Sequence, residues 1–508
     1  MSEKMFDAQI VRQWAYVGVN TLREHRQELN ALNVFPVPDG DTGTNLYLTF
    51  KAAYEAELQR TGAVGDALDA LRAMSRGALL GARGNSGVIL AQTLAAFADA
   101  AESMPQGLTL RGLLSAGASA ARAAVAAPIE GTALTVLDAA AATEARDPSE
   151  AAEAARETLR RTPEMLEALK VAGVVDAGGR GVVLLLDALN AVWNGTEVAS
   201  PPVGFVPSAV PVAHACDADA RYELMFLVPA AKNEAVKDAI VNSGVSLAIT
   251  TGREFAQIHI HTDAPQEVIS LASAVADVRH VRIELLDQQP AQRKLVAQAF
   301  GSGVVQQLAE LGVAVVAAEP DVRPSVQEFY SAGIRANARE VIVFASDKDS
   351  VQVAEIAVAE LRKENIDANL VATHTIVQTL AAISVSNSSL SIADDLAAMK
   401  IAASHVTAIG ITKATRNSAI SNSPIATGDF LAFVNADLVA SSQDLVDAVC
   451  SVAIQCKTAE LITVIAGRDL AEDDAEDVVE ALQTLFPDAE LLLTPGHQEM
   501  WPLLIGIE

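Results

Sequence analysis

The stretch NVFPVPDGDTGT, residues 33–44, carries two aspartates on either side of one glycine, between a proline-rich turn and a predicted helix. Carboxylates this close can converge on a hard divalent cation, because Mg²⁺ prefers oxygen ligands, and we predict Asp39 and Asp41 as the catalytic magnesium ligands. The helix start behind them offers free backbone N–H groups, which favour phosphate. Together these features predict a nucleotide site, with cofactor contacts at Thr42, Gly43, Thr44 and Asn45.

Plain helix capping by Asp41, Thr44 or Asn45 is the alternative, although one cap explains only one of these residues. A calcium-binding EF-hand is excluded, because the sixth and twelfth residues counted from Asp39 are Thr44 and Phe50 instead of glycine and glutamate. A Walker P-loop is excluded too, because no Gly-Lys pair occurs in the chain.

Residues 1–200 show helical spacing of apolar residues without an interrupting strand pattern, which predicts an all-α domain. Pro163 lies inside the seventh helical segment and predicts a kink there. Short connections make consecutive helices antiparallel neighbours, so every second loop lies at the same end of the domain. The predicted helices are 8–30, 45–59, 64–79, 87–103, 108–126, 132–145, 149–170 and 180–194.

Four glycine-rich, polar loops follow the first, third, fifth and seventh helices and are expected to share one end. The last three are weak evidence alone, because glycine often ends a helix, but the common placement of all four predicts a ligand site. The loops are 33–44, 81–86, 127–131 and 171–179. Their further candidate cofactor-binding residues, some in the helix starts that follow, are Gly84, Asn85, Ser86, Gly131, Thr132, Asp176 and Gly178.

Beyond a proline-rich linker at 198–212 the pattern changes twice. Residues 222–287 follow the order β-α-β-β-α-β, which suggests a ferredoxin-like α+β domain. From about residue 295 strands and helices alternate, which indicates an α/β domain with mainly parallel strand pairing. The predicted fold class is multidomain α plus α/β, with domains at 1–200, 201–294 and 295–508.

The net charge of −28 over 508 residues would repel a phosphate backbone and an anionic membrane surface, so neither nucleic acid nor membrane is an expected partner. No stretch approaches the ~18 consecutive apolar residues of a membrane span, and the N-terminus lacks the apolar run of a signal peptide. Three cysteines, Cys216, Cys450 and Cys456, make no disulfide framework. A cytoplasmic protein is expected.

His259 and His261 alternate along a predicted strand, and the two-residue period places both side chains on one face. Such a pair is suited to sharing a metal ion. The alternative is a pair of strand histidines on a polar face, with no metal bound.

Four segments in the first 180 residues resemble, in their order, the nucleotide-binding domain of the dihydroxyacetone kinase L subunit: LNVFPVPDGDTGTNL, GARGNSGVILAQ, PIEGTALTVLDAA and VVDAGGRG. Later segments resemble the three-part fatty acid kinase A family, also called DAK2-domain or YloV-like proteins. Among them are RYELMFLV, IHIHTDAP and LITVIAGRDLAEDDAEDVVEAL. The resemblance covers nearly the whole chain.

This resemblance implies an eight-helix barrel that binds ATP through two Mg²⁺ ions, with Asp39 and Asp41 matching the family's metal ligands. In the family the acyl substrate arrives on a separate fatty-acid-binding carrier protein, and the later domains position that protein and support a homodimer. The implied reaction transfers the γ-phosphoryl group of ATP to the fatty acid, giving an acyl phosphate. The positions that match nucleotide-contacting loops are 42–45, Asn85, Ser86, Gly131, Thr132, Asp176 and Gly178.

For the histidine pair, the resemblance implies a third ligand from the strand YELMF, where relatives carry a cysteine and this chain has Glu223. Glu223, His259 and His261 make a candidate Zn²⁺ set, and His214 or Cys216 could contribute instead.

Two other functions share the predicted nucleotide site. One is a kinase for dihydroxyacetone (glycerone) or a similar small hydroxy compound, which needs an acceptor module that the sequence does not show. The other is a nucleotide-binding regulatory scaffold without turnover, suggested by the divergence of the C-terminal segments from the family pattern.

Overall fold

The structure is a computed structural model, which describes residues 6–36, 38, 40–59, 66–104, 108–144, 147–198, 220–286, 291–319, 322–420, 423–435 and 437–508. By its internal contacts the chain divides into two compact units, Met1–Arg279 and His280–Glu508.

Among the described residues, the first unit begins with ten helices. Several start at a residue whose side chain accepts a hydrogen bond from the first turn, as an N-cap does; these caps are Asp7, Asp66, Thr109 and Asp176. The helices are α1 (Ala8–Glu24), α2 (Arg26–Leu32), α3 (Thr42–Gln59), α4 (Ala67–Gly81), α5 (Gly84–Ser103), α6 (Leu110–Ala124), α7 (Ala133–Ala141), α8 (Pro148–Met165), α9 (Glu167–Ala172) and α10 (Ala177–Asn194).

Two of the eight predicted segments are each broken in two, which accounts for the ten helices. The first is interrupted at His25, between α1 and α2. The seventh ends at Met165, two residues after Pro163, and resumes as α9. The break thus follows the proline that predicted a kink, since a proline inside a helix disrupts the hydrogen-bond ladder.

Three helices begin three residues earlier than the periodicity predicts. α3 starts at Thr42, α5 at Gly84 and α10 at Ala177, so the ends of three predicted loops are first helical turns. Their glycine and polar residues lack the apolar spacing by which a helix is recognised in a sequence. This shift places predicted ligand-binding residues at helix N-termini.

The core of the helical part joins distant helices through Trp14. Its indole Nε1 donates to the carbonyl of Leu185 over 3.0 Å, and its ring meets Phe50 edge-on at 5.3 Å. Beside this core lies an apolar cavity of about 70 Å³, and Ser86 and Gly178 are among the residues that line it.

A small sheet with two helices completes the element order β-α-β-β-α-β that was predicted for this part. β2 and β3 form the predicted hairpin around Gly252 and Arg253, and β1 pairs antiparallel with β3. The strand order is β2-β3-β1-β4. The elements are β1 (Tyr222–Pro229), α11 (Asn233–Ile240), β2 (Val245–Thr251), β3 (Phe255–Thr262), α12 (Pro265–Ser273) and β4 (Arg279–Leu285).

The second unit contains a parallel sheet of four strands in the order β6-β5-β7-β8. Its strands are β5 (Arg293–Phe300), β6 (Ala314–Ala318), β7 (Glu340–Phe344) and β8 (Asp367–Val371). The helices in this part of the chain are α13 (Ser302–Glu310), α14 (Val326–Arg335), α15 (Val351–Lys363), α16 (Ile376–Ser384) and α17 (Ile392–His405).

A second sheet in this unit has six strands in the order β13-β12-β9-β16-β14-β15. Its strands are β9 (Thr407–Lys413), β12 (Phe430–Val434), β13 (Asp437–Ser442), β14 (Leu461–Ala466), β15 (Glu490–Pro495) and β16 (Leu503–Ile507). The remaining elements are the hairpin strands β10 (Ser418–Ile420) and β11 (Ser423–Ile425), with α18 (Leu445–Ala453) and α19 (Glu472–Leu485).

The expectation of mainly parallel pairing is wrong for the six-stranded sheet. Only β14 and β15 pair parallel there; the other four neighbouring pairs are antiparallel. The reason lies in two connections: β12 and β13 form a hairpin, and the last strand, β16, runs back between β9 and β14. A final strand inserted between two earlier ones leaves no local signal in the sequence.

In the ranges that the structure describes, no helix combines the length and the apolar character needed to cross a bilayer.

Candidate functional site

The acidic loop leads directly into α3, and Asn30 on α2 holds the start of that helix. Asn30 Oδ1 accepts from the backbone amide of Thr44, and Asn30 Nδ2 donates to the Thr44 hydroxyl, both over 3.0 Å. Gly43 packs so closely on α2 that a Cβ there would lie 2.2 Å from the carbonyl oxygen of Arg26. The backbone amide of Thr44 thus already has its acceptor in Asn30, and the end of the acidic loop is held against α2.

Asp41 is oriented by the first turn of α3. Asn45 Nδ2 donates to Asp41 Oδ2 over 2.7 Å, and the Asn45 amide donates to the Asp41 carbonyl. Asn45 also contacts the start of α5, because a Cβ on Gly84 would lie 2.3 Å from Asn45 Nδ2. Gly84 has a φ of +56°, which favours glycine. Asp39, the other predicted magnesium ligand, lies outside the described residues.

The first turns of α5, α7 and α10 also meet. A Cβ on Gly178 would lie 3.1 Å from Ala133 Cβ and 4.0 Å from Ser86 Oγ. The side chains of Asn85 and Ser86 are half-buried. Since α3 contacts α5 through Asn45, four helix N-termini converge here, each carrying the partial positive charge that attracts anions.

Asp176 joins two of these N-termini. Its carboxylate accepts from the amide of Gly179 over 2.7 Å and from the backbone of Ala133, and its own amide donates to Thr162 Oγ1 over 3.1 Å. Burial raises the pKa of Asp176 to about 6, against the lowering effect of the two backbone bonds. The geometry shows a capping carboxylate that holds α7 beside α10.

Gly131 and Thr132 lie at the start of α7. Gly131 has a φ of +85° and packs on the end of α8, where its Cβ would lie 2.9 Å from Met165 Cβ. The Thr132 hydroxyl donates to the Ile129 carbonyl over 2.8 Å. Both residues shape the turn, and it is the next residue, Ala133, that contacts Gly178 and Asp176.

The sheet after residue 220 packs against the beginning of α5. Gln257 Nε2 donates to the Ala82 carbonyl over 3.4 Å, and the Thr250 hydroxyl donates to the Val88 carbonyl over 2.9 Å. Met225 and Ala248 form an apolar cluster with Val88. One face of the sheet therefore covers the helix start that carries Gly84, Asn85 and Ser86.

Glu223, His259 and His261 share that face. Glu223 pairs directly with His261 across β1 and β3, and the three side chains place potential ligand atoms within 4.8 Å of one another. The two Nε2 atoms lie 3.1 Å apart. Burial lowers the pKa of His261 to about 4, and burial followed by the neighbouring His261 lowers that of His259 well below its usual value. Both rings are thus neutral at neutral pH, the form that binds metals.

His214 and Cys216, the alternative ligands, lie outside the described residues. Sequence reasoning missed Asn30, Thr250 and Gln257. A signal existed only for Gln257, which continues the two-residue spacing of His259 and His261 along β3.

Comparison with protein families assigns three successive segments. The DAK2 domain matches residues 36–191, the middle domain of fatty acid kinase A-like (FakA-like) proteins matches 219–293, and their C-terminal domain matches 294–508. Protein YloV of Bacillus subtilis is 27% identical, with all of both chains covered. An uncharacterized protein of Staphylococcus haemolyticus is 25% identical, with 97% of each chain covered.

Among solved structures, the dihydroxyacetone kinase of C. freundii in complex with AMP-PNP and Mg²⁺ is 12% identical, with a TM-score of 0.36, and 54% of this chain matches 55% of that one. The fatty acid kinase B3 protein of Streptococcus pneumoniae, loaded with linoleic acid, is 11% identical, with a TM-score of 0.32, and 43% of this chain matches 99% of that one. The two FakA-like family models together span more than half of the chain, after a DAK2 domain. The chain belongs to the FakA-like, DAK2-domain family.

Proposed function

We propose that this protein is the ATP-dependent kinase component that phosphorylates a fatty acid presented by a separate acyl-binding protein, giving an acyl phosphate. The observation that carries the proposal is the convergence of the N-termini of α3, α5, α7 and α10 beside Asp41. The DAK2 and FakA-like domains support a kinase-type phosphotransferase.

The residues present fit Mg²⁺ and a triphosphate. Gly84 and Gly178 let the helix starts pack closely together, since a Cβ at either position would meet a neighbouring helix start. Asp41, with Asp39, would hold the magnesium, and the first turns of α3 and α5 would face the phosphates. When bound, Mg-ATP supplies the phosphoryl group and the cations that neutralise its charge.

The chain itself contributes positioning. Asn45 orients the Asp41 carboxylate, Asn30 fixes Thr44, and Asp176 keeps α7 beside α10. Helix N-termini that are already in place stabilise anionic charge without rearranging during the reaction. A carboxylate acceptor has no proton to lose, so the chain needs no general base.

The proposal includes the finer expectations that accompany it. The ten helices would form the eight-helix barrel of the dihydroxyacetone kinase L subunit, and the β2-β3-β1-β4 sheet with its two helices a ferredoxin-like domain. The partner is a fatty-acid-binding carrier protein, the chain is a homodimer in the cytoplasm, and Glu223, His259 and His261 bind Zn²⁺. Light scattering tests the dimer.

The direct test measures ATP consumption by the full-length protein with Mg²⁺ and a fatty-acid-loaded carrier protein. We expect acyl phosphate formation, at least a hundredfold slower in Asp41→Asn, in line with the loss of one transition-state contact. Asp99→Asn, an exposed aspartate on α5, is the matched control and should behave as wild type.

Glycerone offered in place of the loaded carrier separates the alternatives. Phosphorylation of glycerone with an inert loaded carrier would favour the small-molecule kinase. Thermal stabilisation by ATP without any product would favour the regulatory scaffold. Identical ATP consumption by wild type and Asp41→Asn would contradict the assignment of the site.

A further inference from the structure

Arg180 is a buried charge that the proposed chemistry leaves without a role. It is the fourth residue of α10, two positions after Gly178, and its side chain is only 1% exposed. Its Nε donates to Glu28 Oε1 on α2 over 2.8 Å, although the two residues are 152 positions apart in the sequence. Burying a guanidinium is costly unless a carboxylate compensates it, so this contact ties the first turn of α10 to α2.

Glu28 is held in place from a second side. Its other oxygen, Oε2, lies 2.5 Å from Nδ1 of His25, the residue between α1 and α2. The hydrogen bond with His25 lowers the pKa of Glu28 to about 2, and Arg180 adds to this effect against the influence of burial. Glu28 is therefore ionised at neutral pH and pairs with Arg180 as a fixed anion on α2.

The same short helix also holds the acidic loop. Asn30, two residues after Glu28, bonds to Thr44 at the start of α3, and Gly43 packs on the α2 backbone at Arg26. The seven residues of α2 thus carry two anchors, Glu28 for the first turn of α10 and Asn30 for the first turn of α3.

A direct contact between α3 and α10 completes the arrangement. A Cβ on Gly181, the residue after Arg180, would lie 2.3 Å from Leu46 Cδ1 on α3. Protein interiors are close-packed and transmit strain, so a shift in the first turn of α10 would displace α2 or α3 as well. The spacing between two of the converging helix starts therefore depends on how firmly α10 is held.

We propose that Arg180 is a positioning residue of the nucleotide site: paired with Glu28, it sets the distance between the first turn of α10 and the acidic loop and thereby raises the affinity of the protein for Mg-nucleotide. The inference rests on the proposed function, because it concerns the same site. Arg180 acts through Glu28 and α2 and does not touch the nucleotide. Helix starts that are already spaced for a ligand bind it without rearrangement.

A comparable ion pair further along α10 provides a matched control. Arg156 on α8 donates to Asp187 Oδ1 over 2.7 Å, and the side chain of Asp187 is also 1% exposed. Asp187 lies ten residues after Ala177, the first residue of α10, and its partner is on α8 instead of α2. Breaking this pair should destabilise the protein without changing the spacing at the helix starts.

The experiment compares the full-length wild type with Arg180→Met and Arg156→Met in the presence of Mg²⁺. Methionine keeps much of the apolar length of arginine and removes the charge, and Glu28, which is 32% exposed, keeps His25 and solvent as partners. Thermal denaturation should show that both variants are less stable than wild type. Calorimetry should show AMP-PNP binding about tenfold weaker in Arg180→Met alone, with more Mg²⁺ needed for half-maximal binding.

Two further measurements separate positioning from general stability. Hydrogen exchange should be faster at residues 43–46 in Arg180→Met than in wild type, and unchanged there in Arg156→Met. Arg180→Lys keeps a cation within reach of Glu28 and should bind AMP-PNP more tightly than Arg180→Met. Should Arg180→Met fail to fold, Glu28→Gln weakens the pair while keeping an acceptor oxygen, and we expect a smaller loss of affinity in the same direction.

Equal AMP-PNP affinity in wild type and Arg180→Met would overturn the inference, and so would equal losses in Arg180→Met and Arg156→Met. The proposed function fails in a different way. Wild type that bound no AMP-PNP would remove the nucleotide site and the inference with it. The expected response to Arg180→Met, without any acyl phosphate formed by wild type, would contradict the proposed function and leave the inference standing.

Discussion

Asn30 and Thr44 are joined by two hydrogen bonds of 3.0 Å, one to the backbone amide of Thr44 and one to its hydroxyl. The two residues lie fourteen positions apart, on α2 and on the first turn of α3, and both are buried. This pair fixes the two ends of the acidic loop relative to one another. The loop that carries Asp41 is therefore braced at its base before any ligand arrives.

Replacing Asn30 with alanine should destabilise the protein, because the buried amide of Thr44 loses its acceptor. The expected cost is about 1–3 kcal/mol of unfolding free energy, measured by urea denaturation. Asn194→Ala, which removes an exposed amide at the end of α10, should change the stability by no more than about 0.5 kcal/mol. Equal effects of the two substitutions would show that the pair contributes little.

Gly84→Ala and Gly195→Ala separate backbone strain from side-chain crowding. Both glycines have a positive φ, so each alanine should cost about 1–2 kcal/mol of stability. Only at Gly84 would the new Cβ meet Asn45 Nδ2, whereas Gly195 has no neighbour within 4 Å. We expect AMP-PNP binding about tenfold weaker in Gly84→Ala alone, which is about 1.4 kcal/mol by calorimetry. A similar loss in Gly195→Ala would contradict this interpretation.

Asp176 predicts a pH dependence of stability. Its pKa is raised by burial from 3.8 to about 6 in the folded protein. The folded state therefore holds a proton that the unfolded state has lost, and stability falls as pH rises from about 4 to about 6. Asp176→Asn keeps an oxygen acceptor for the cap and has no carboxyl to titrate.

Denaturation at pH 4 and pH 7 checks this prediction. Relative to wild type, Asp176→Asn should gain roughly 1–3 kcal/mol between these pH values. Asp66→Asn, at the exposed N-cap of α4, is the control for losing a capping carboxylate. If the stability of the wild type instead rose relative to that of Asp176→Asn between pH 4 and pH 7, the raised pKa of Asp176 would be contradicted.

Asp395→Ala tests the core of the second unit. Asp395 and Arg293 are bonded over 2.7 Å with side chains 0% and 4% exposed, and Glu340 pairs with the same guanidinium. Removing one carboxylate leaves the buried charge of Arg293 partly uncompensated, at a cost of about 3–5 kcal/mol. Its neighbour Asp394 is exposed, so Asp394→Ala should have a much smaller effect on the denaturation midpoint. Comparable midpoints for the two variants would argue against a buried ion pair.

Local patterns predicted most of the helices and the hairpin around Gly252. They worked because apolar spacing and glycine-containing turns are short-range signals. Pro163 marked the break between α8 and α9 for the same reason. The family to which the chain belongs was identifiable from the four loop motifs in their order together with later segments such as RYELMFLV and IHIHTDAP.

Contacts between distant parts of the chain could not be predicted. The Thr250 hydroxyl donates to the Val88 carbonyl, 162 positions away in the sequence, and no local pattern around either residue predicts this contact. The strand β5 lies between β6 and β7 in its sheet, yet it begins with the charged residues Arg293 and Lys294. These residues do not follow the apolar pattern by which a central strand is recognised in a sequence. The starts of α3, α5 and α10 were not predicted because their first turns carry glycine and polar residues in place of regularly spaced apolar ones.

The apolar contact of Met225 and Ala248 with Val88 has a practical consequence for anyone who shortens this protein. A fragment ending after α10 would leave α5 without its cover and expose the carbonyl of Val88 to solvent competition. The family comparison suggests a domain boundary near residue 200. We expect a fragment cut at this boundary to be less stable than one that keeps the sheet. The smallest autonomous piece of the first unit should run to the end of β3 or beyond.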